Sequence, residues 1–185
     1  MNYHLKKSKS FRIISRKTVY TGYVSKLDVL KIKSASGRCV EREIIRHPGA
    51  VVIIPRLKND RLILIRQLRV ATGKKIWEFP AGTLEKGESV AKCADRELQE
   101  ETGFKARRLK RILDYFPTPG ISTEKMYLFI ADGLSPVDGV QPDADEELTS
   151  RVFSFQQVET MIRSGGLIDG KTILGFLFLC RYCLS

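Results

Sequence analysis

The sequence predicts an α+β fold: a mixed sheet with helices against it, in the manner of an α/β/α sandwich, preceded by a small antiparallel sheet. Three observations lead there. Short apolar runs bounded by turn residues recur between positions 50 and 131 and read as strands. A strongly charged helical stretch falls in their midst, and two further helical patterns close the chain. Ahead of position 48 apolar and polar residues alternate, the mark of half-buried antiparallel strands. At 185 residues and 43% hydrophobic, the chain can bury one sizeable core.

In order, residues 1–10 read as a tail and Phe11–Ile14 as a short strand. Tyr20–Lys33 alternates, Ser34–Gly37 turns, and Cys39–Arg46 returns. Such a sheet is too small to stand alone. Residues 1–48 therefore form an N-terminal unit that needs a neighbour, and 49–185 form the main domain. After Pro48-Gly49, Ala50–Pro55 is a continuous apolar run and hence a buried strand. Lys58-Asn59-Asp60 turns it into Leu62–Gln67. Ile76–Phe79 is a short strand leading to Pro80-Ala81-Gly82. Leu109–Phe116 and Lys125–Ala131 are strands on either side of Pro117–Gly120. Asp132–Glu147 is a long polar loop and Arg151–Phe155 the last strand. Val158, Met161 and Ile162 fit one helix and Ile173–Tyr182 another.

The net charge is +11. A surface of that sign attracts polyanions, nucleotides and nucleic acid among them. Residues 1–17 hold six Lys or Arg and no acid, while acids gather in the central helix and in Asp143–Glu147. A basic chain with two acidic islands suits a cation-dependent site for an anionic substrate. No run of eighteen apolar residues points to a membrane span, and no apolar stretch follows the basic N-terminus as a secretory signal requires. Cys39, Cys93, Cys180 and Cys183 form no spaced framework. They read as reduced thiols of a cytoplasmic chain. Gly165–Thr172 matches the G-x-x-x-x-G-K-[ST] pattern, but Gln156–Ser164 before it reads as a helix, where a phosphate-cradling loop needs a strand. A loop between two helices accounts for it better.

The helical stretch carries the chemistry. Ser89 suits the N-cap and Gly103 the left-handed position after the last turn. Val90, Ala94 and Leu98 face the core. Glu97, Glu100 and Glu101 stand at i, i+3 and i+4 and share one face. Like charges so spaced repel, and a divalent cation among them would reverse the sign. Arg96, pointing away from its neighbour Glu97, is placed to pair with Glu88. The spacing from Gly82 to Phe104 runs Gly, five residues, Glu88, seven residues, then Arg96-Glu97-Leu98-Gln99-Glu100-Glu101-Thr102-Gly103-Phe104.

That pattern closely resembles the signature of the Nudix hydrolase family. Pro119, fifteen residues beyond Phe104, narrows the resemblance to the ADP-ribose (ADP-sugar) pyrophosphatase branch. So do Arg42-Glu43, the Gln67-Leu68-Arg69 element and Trp77–Gly82. The resemblance implies a Nudix fold and Mg²⁺, with Mn²⁺ as the alternative, held by Glu97, Glu100, Glu101, the Ala81 carbonyl and Glu146. It implies a general base in the acidic loop, with Glu146 ahead of Asp145 and Glu147, and Glu100 as a further ligand or a water-positioning group. Substrate contacts would come from Arg42, Glu43, Arg69, Thr83, Glu124 and Tyr23. The activity implied is hydrolysis of ADP-ribose to AMP and ribose 5-phosphate by a homodimer joined through the N-terminal sheet. Alternatives are another nucleoside diphosphate sugar such as GDP-mannose, RNA 5′ ends, which the basic charge permits, or a nucleotide-binding module without turnover.

Overall fold

The computed structural model describes residues 11–137 and 148–183. Strands β1 (Phe11–Thr21), β2 (Lys26–Ser34) and β3 (Cys39–Arg46) form an antiparallel three-stranded sheet in that order. β1 is far longer than the expected Phe11–Ile14. Most of its side chains are exposed, so no alternation marked it; its pairing from Phe11↔Ser34 to Thr21↔Lys26 defines it instead. A turn closed by Gly22 N–H donating to the Ser25 carbonyl (2.9 Å) divides the run expected from Tyr20 to Lys33. Buried Asp28 anchors this sheet, accepting from Thr18 at 2.7 Å and pairing with Arg46 at 2.5 Å.

The second sheet is mixed. It comprises β4 (Ala50–Leu57), β5 (Arg61–Arg69), β6 (Lys74–Glu78), β7 (Ala81–Thr83), β8 (Phe104–Tyr115), β9 (Met126–Pro136) and β10 (Thr149–Ser154). Its main path runs β10-β5-β4-β9-β8, with β6 beside β5 and β7 beside β4. β4 and β9 are parallel, with Val52 opposite Leu128; the remaining pairs are antiparallel. β8 begins at Phe104 and β9 ends at Pro136 because the two pair along their whole length. Both run past the boundaries expected from apolar content, since β8 is an edge strand and β9 extends beyond its last pair with β4 at Asp132, so polar side chains there reach solvent.

Helix α1 (Val90–Thr102) covers one face, and α2 (Phe155–Arg163) with α3 (Gly170–Tyr182) covers the other. The period of two in β4 divides the core. Ala50, Val52 and Ile54 pack with Leu64, Phe79, Leu128, Val158 and Leu179. Val51 and Ile53 pack with Cys93, Ala94 and Leu98 of α1. Burial on both faces is why β4 reads as an unbroken apolar run. Each fully buried Leu or Ile stabilises the fold by about 1.5–3 kcal/mol. The N-terminal sheet leans on this domain through Ile45, whose N–H donates to the Ile121 carbonyl at 2.8 Å and whose carbonyl accepts from Thr123 N–H at 2.9 Å. Among the described residues no helix is long and apolar enough to cross a membrane.

Candidate active site

The loop 84–89 and helix α1 are built from local rules. The Ser89 hydroxyl accepts from Lys92 N–H at 3.3 Å and caps the helix. Gly103 closes it at φ 71°, a left-handed conformation that favours glycine. In the preceding turn, Glu85 N–H donates to Glu88 Oε2 at 3.1 Å. Arg96 then gathers the carboxylates. Its Nε and Nη2 donate to Glu88 at 3.0 and 3.2 Å. Its Nη1 reaches Glu97 Oε1 at 2.8 Å and Glu100 Oε2 at 2.9 Å. Pairing with Glu88 is thus observed, while the expectation that Arg96 points away from Glu97 is corrected. The long side chain reaches Glu97 as well because that carboxylate turns onto Gly82. A Cβ at Gly82 would lie 1.7 Å from Glu97 Oε1, so the side-chain-free position is what admits the carboxylate.

Glu101, on the same face, is buried and turns to β7, where Ala81 N–H donates to its Oε2 at 2.8 Å. Ala81 is held there because β7 pairs with β4, Val52 opposite Ala81. Beside it, Arg69 donates in bidentate fashion to Glu78, Nε at 2.7 Å and Nη2 at 2.8 Å. Arg69, Ala81, Glu97, Glu100 and Glu101 line one open cleft of about 1130 Å³, together with Gln67, Thr83 and Tyr23, while Glu78 lies buried behind Arg69. That volume holds a nucleotide-sized ligand.

The electrostatics follow from the packing. The guanidinium of Arg96 holds the Glu88 carboxyl down to about 2. Burial raises the Glu97 carboxyl; Arg96 opposes the rise, and the charges of Glu100 and Glu88 add to it. Burial, with Glu88 and Glu97 nearby, pushes the Cys93 thiol up to about 12, so it stays protonated and offers no thiolate. The cleft therefore presents carboxylate oxygens beside the Ala81 backbone, a hard donor set that fits Mg²⁺ or Mn²⁺ and not a thiophilic metal. A cation among these carboxylates would offset the burial that raises Glu97 first, and then the charges of Glu100 and Glu88. Among the described residues no group of three acidic, His or Cys side chains is already gathered as a cage. Glu97 and Glu100 are turned to Arg96, and Glu101 to Ala81.

Of the residues expected from sequence, Ala81, Glu97, Glu100, Glu101, Arg69, Thr83 and Tyr23 come together around this cleft. Arg42 and Glu43 do not. They are exposed on β3, where Arg42 donates to the Glu41 carbonyl at 2.8 Å. Glu124 lies outside the cleft lining, 3.8 Å from His47 Nδ1. Glu146, Asp145 and Glu147 lie outside the described residues; Leu148, two positions after Glu146, lines the cleft. Sequence reasoning missed Glu78 and Lys171 as site groups. Their ion pair joins residues 93 positions apart, and the one signal was the Gly165–Thr172 motif set aside above. The structure explains that motif without a phosphate. Asp169 Oδ2 caps α3 at Thr172 N–H (3.0 Å), and Thr172 is buried.

Comparison with known proteins identifies the family. A model of the NUDIX domain matches residues 46–173. A Bacillus subtilis (strain 168) protein named ADP-ribose pyrophosphatase is 32% identical over 174 residues, covering 94% of either chain. A Bacillus methanolicus protein named methanol dehydrogenase activator is 32% identical over 169 residues, covering 91% of either chain. The crystal structure of an ADP compounds hydrolase superposes with a TM-score of 0.80 at 25% identity, covering 96% of either chain. The chain belongs to the Nudix family, whose hydrolase signature it carries whole from Gly82 to Phe104.

Proposed function

We propose that this protein is a Mg²⁺-dependent pyrophosphohydrolase that splits ADP-ribose, or a related ADP-sugar, into AMP and a sugar phosphate. The carrying observation is the carboxylate-lined cleft in a chain 32% identical over 94% of its length to an ADP-ribose pyrophosphatase. Glu97, Glu100, Glu101 and the Ala81 carbonyl would hold the cation, and Glu146 would add a ligand from the acidic loop. When bound, the cation neutralises charge on the pyrophosphate and helps activate water. The chain's own groups do the rest. Arg69 binds a phosphate oxygen, Thr83 lines the approach to the cation site, and Tyr23 stacks on the adenine. Water attacks phosphorus as the bridging P–O bond breaks, and its proton passes to a carboxylate of the acidic loop, with Glu146 first and Asp145 and Glu147 behind it. Mn²⁺ offers the same donor preference.

Arg42, Glu43 and Glu124, which lie outside the cleft of one chain, are proposed to serve the substrate in a homodimer joined through residues 1–48. In support, the N-terminal unit exposes Ile14, Val19, Tyr20 and Val24, apolar side chains that a second subunit would cover. Residues 49–185 form the catalytic domain. Light scattering should give twice the chain mass. A cytoplasmic setting accords with the four free cysteines.

Turnover of ADP-ribose with Mg²⁺ by wild type and Glu101→Gln tests the function, with GDP-mannose and triphosphate RNA alongside. AMP release that the substitution abolishes supports it. Cleavage of GDP-mannose or RNA alone moves the activity to that substrate. Nucleotide binding without any cleavage replaces it with a binding module. A second reading rests on the Bacillus methanolicus relative: this chain would stimulate a methanol dehydrogenase. Adding the protein to such a dehydrogenase checks that directly.

A further inference from the structure

Arg69, the arginine placed to meet a substrate phosphate, is held from behind. Its guanidinium uses Nε and Nη2 on Glu78. Among the described residues Nη1 makes no hydrogen bond, and the side chain is 39% exposed in the cleft. Glu78 itself is fully buried. A buried carboxylate is stable only when its charge is matched and its lone pairs are used, and one arginine does not use them all. The second partner is Lys171, at the start of α3. Its Nζ bonds Glu78 Oε2 and lies 2.9 Å from Asp169 Oδ1. The helix start is in turn clamped to the same strand end. Phe79 N–H donates to Thr172 Oγ1 at 2.7 Å, and that hydroxyl donates to Asp169 Oδ2 at 2.6 Å. Burial works to raise the Glu78 carboxyl, but Arg69 and Lys171 outweigh it and keep the group ionised.

We propose that Lys171, with Asp169 and Glu78, forms a rigid mount on which Arg69 presents Nη1 to a phosphate of the bound diphosphate, so that α3 sets substrate affinity from behind the cleft. This inference rests on the pyrophosphohydrolase reading and deepens it. Lys171 is a positioning residue in this scheme. It is 13% exposed and does not line the cleft. A lysine that only anchored α3 would contribute stability and nothing to affinity; a mount contributes both. The arrangement also predicts coupling, because Lys171 acts on substrate only through Arg69.

The test is steady-state kinetics of wild type, Lys171→Met, Lys171→Arg, Arg69→Lys and the Arg69→Lys/Lys171→Met double variant. A panel of ADP-ribose, GDP-mannose and triphosphate RNA is used with Mg²⁺. Lys171→Gln stands in if the Met variant fails to fold. The comparison is made on whichever diphosphate or triphosphate the wild type cleaves. The mount predicts about a tenfold rise in KM for Lys171→Met, with kcat within about twofold, the loss of one well-placed charged hydrogen bond. It predicts recovery to within about threefold in Lys171→Arg and a double variant no worse than Arg69→Lys alone. A KM for Lys171→Met within twofold of wild type overturns it, as do effects of the two substitutions that multiply. Cleavage of GDP-mannose or RNA in place of ADP-ribose revises the substrate while leaving the mount to be judged by the same ratios. A wild type that cleaves nothing removes both readings together.

Discussion

Replacing Gly82 by alanine is the smallest change that tests the active-site geometry. The backbone at Gly82 is not in the left-handed region, so alanine meets no conformational objection there. Its methyl would instead stand 1.7 Å from Glu97 Oε1, 1.8 Å from Cδ and 2.3 Å from Oε2, where ordinary contact begins at 3.4 Å. The carboxylate must therefore retreat by about 2 Å, and it is the end of a flexible side chain, so it can. Retreat breaks the 2.8 Å pair with Arg96, but Arg96 keeps Glu88 and Glu100. The lost partly exposed pair costs about 1 kcal/mol, which lowers Tm by roughly 2–4 °C in a domain of this size. Activity suffers far more, because a displacement of about 1 Å at a reacting centre already costs roughly 100-fold. Gly82→Ala should thus keep its circular dichroism and lose at least about 100-fold in kcat/KM with Mg²⁺. A variant within threefold of wild type would refute the reasoning that Glu97 must sit against Gly82 to act.

Three further outcomes follow from the packing. Glu88, depressed from 4.5 to about 2 by Arg96, stabilises the fold above pH 4.5 and loses that contribution as the pH falls through 2. The stability gap between wild type and Glu88→Gln, on the order of 2 kcal/mol at pH 7, should narrow steadily in melts taken from pH 5 to pH 2. Thr172→Val removes the hydroxyl that Phe79 N–H uses at 2.7 Å. A buried donor left unpaired costs about 1–3 kcal/mol, read as a lower urea midpoint at unchanged slope. Cys93 is buried, with its thiol pushed up to about 12. At pH 8 a thiol reagent should modify exposed Cys39 and Cys180 in the native protein and reach Cys93 only in denaturant.

Much of the site was legible because it is local. The Ser89 cap, the Gly103 stop, the i, i+3, i+4 carboxylates and the Glu88–Arg96 pair all lie within the stretch Gly82–Phe104, and helical periodicity alone places them on common faces. β4 announced itself by burial on both sides. Strand β1 and the ends of β8 and β9 did not, because their side chains face water and only their partners' backbones define them.

What the sequence determined by itself was therefore the fold class, the central helix with its caps, and the acidic face that suits a hard cation. Tertiary structure decided which distant residues share the cleft. It brought Arg69 and Ala81 to Glu101 and left Arg42 and Glu43 outside in the single chain. It also turned a misleading Gly-Lys-Thr motif into the anchor of buried Glu78, 93 residues away. Periodicity and capping act over a few residues and can be read in order. A buried charge instead takes its partner from whatever the packed sheet and helix bring within reach, which no local spacing encodes.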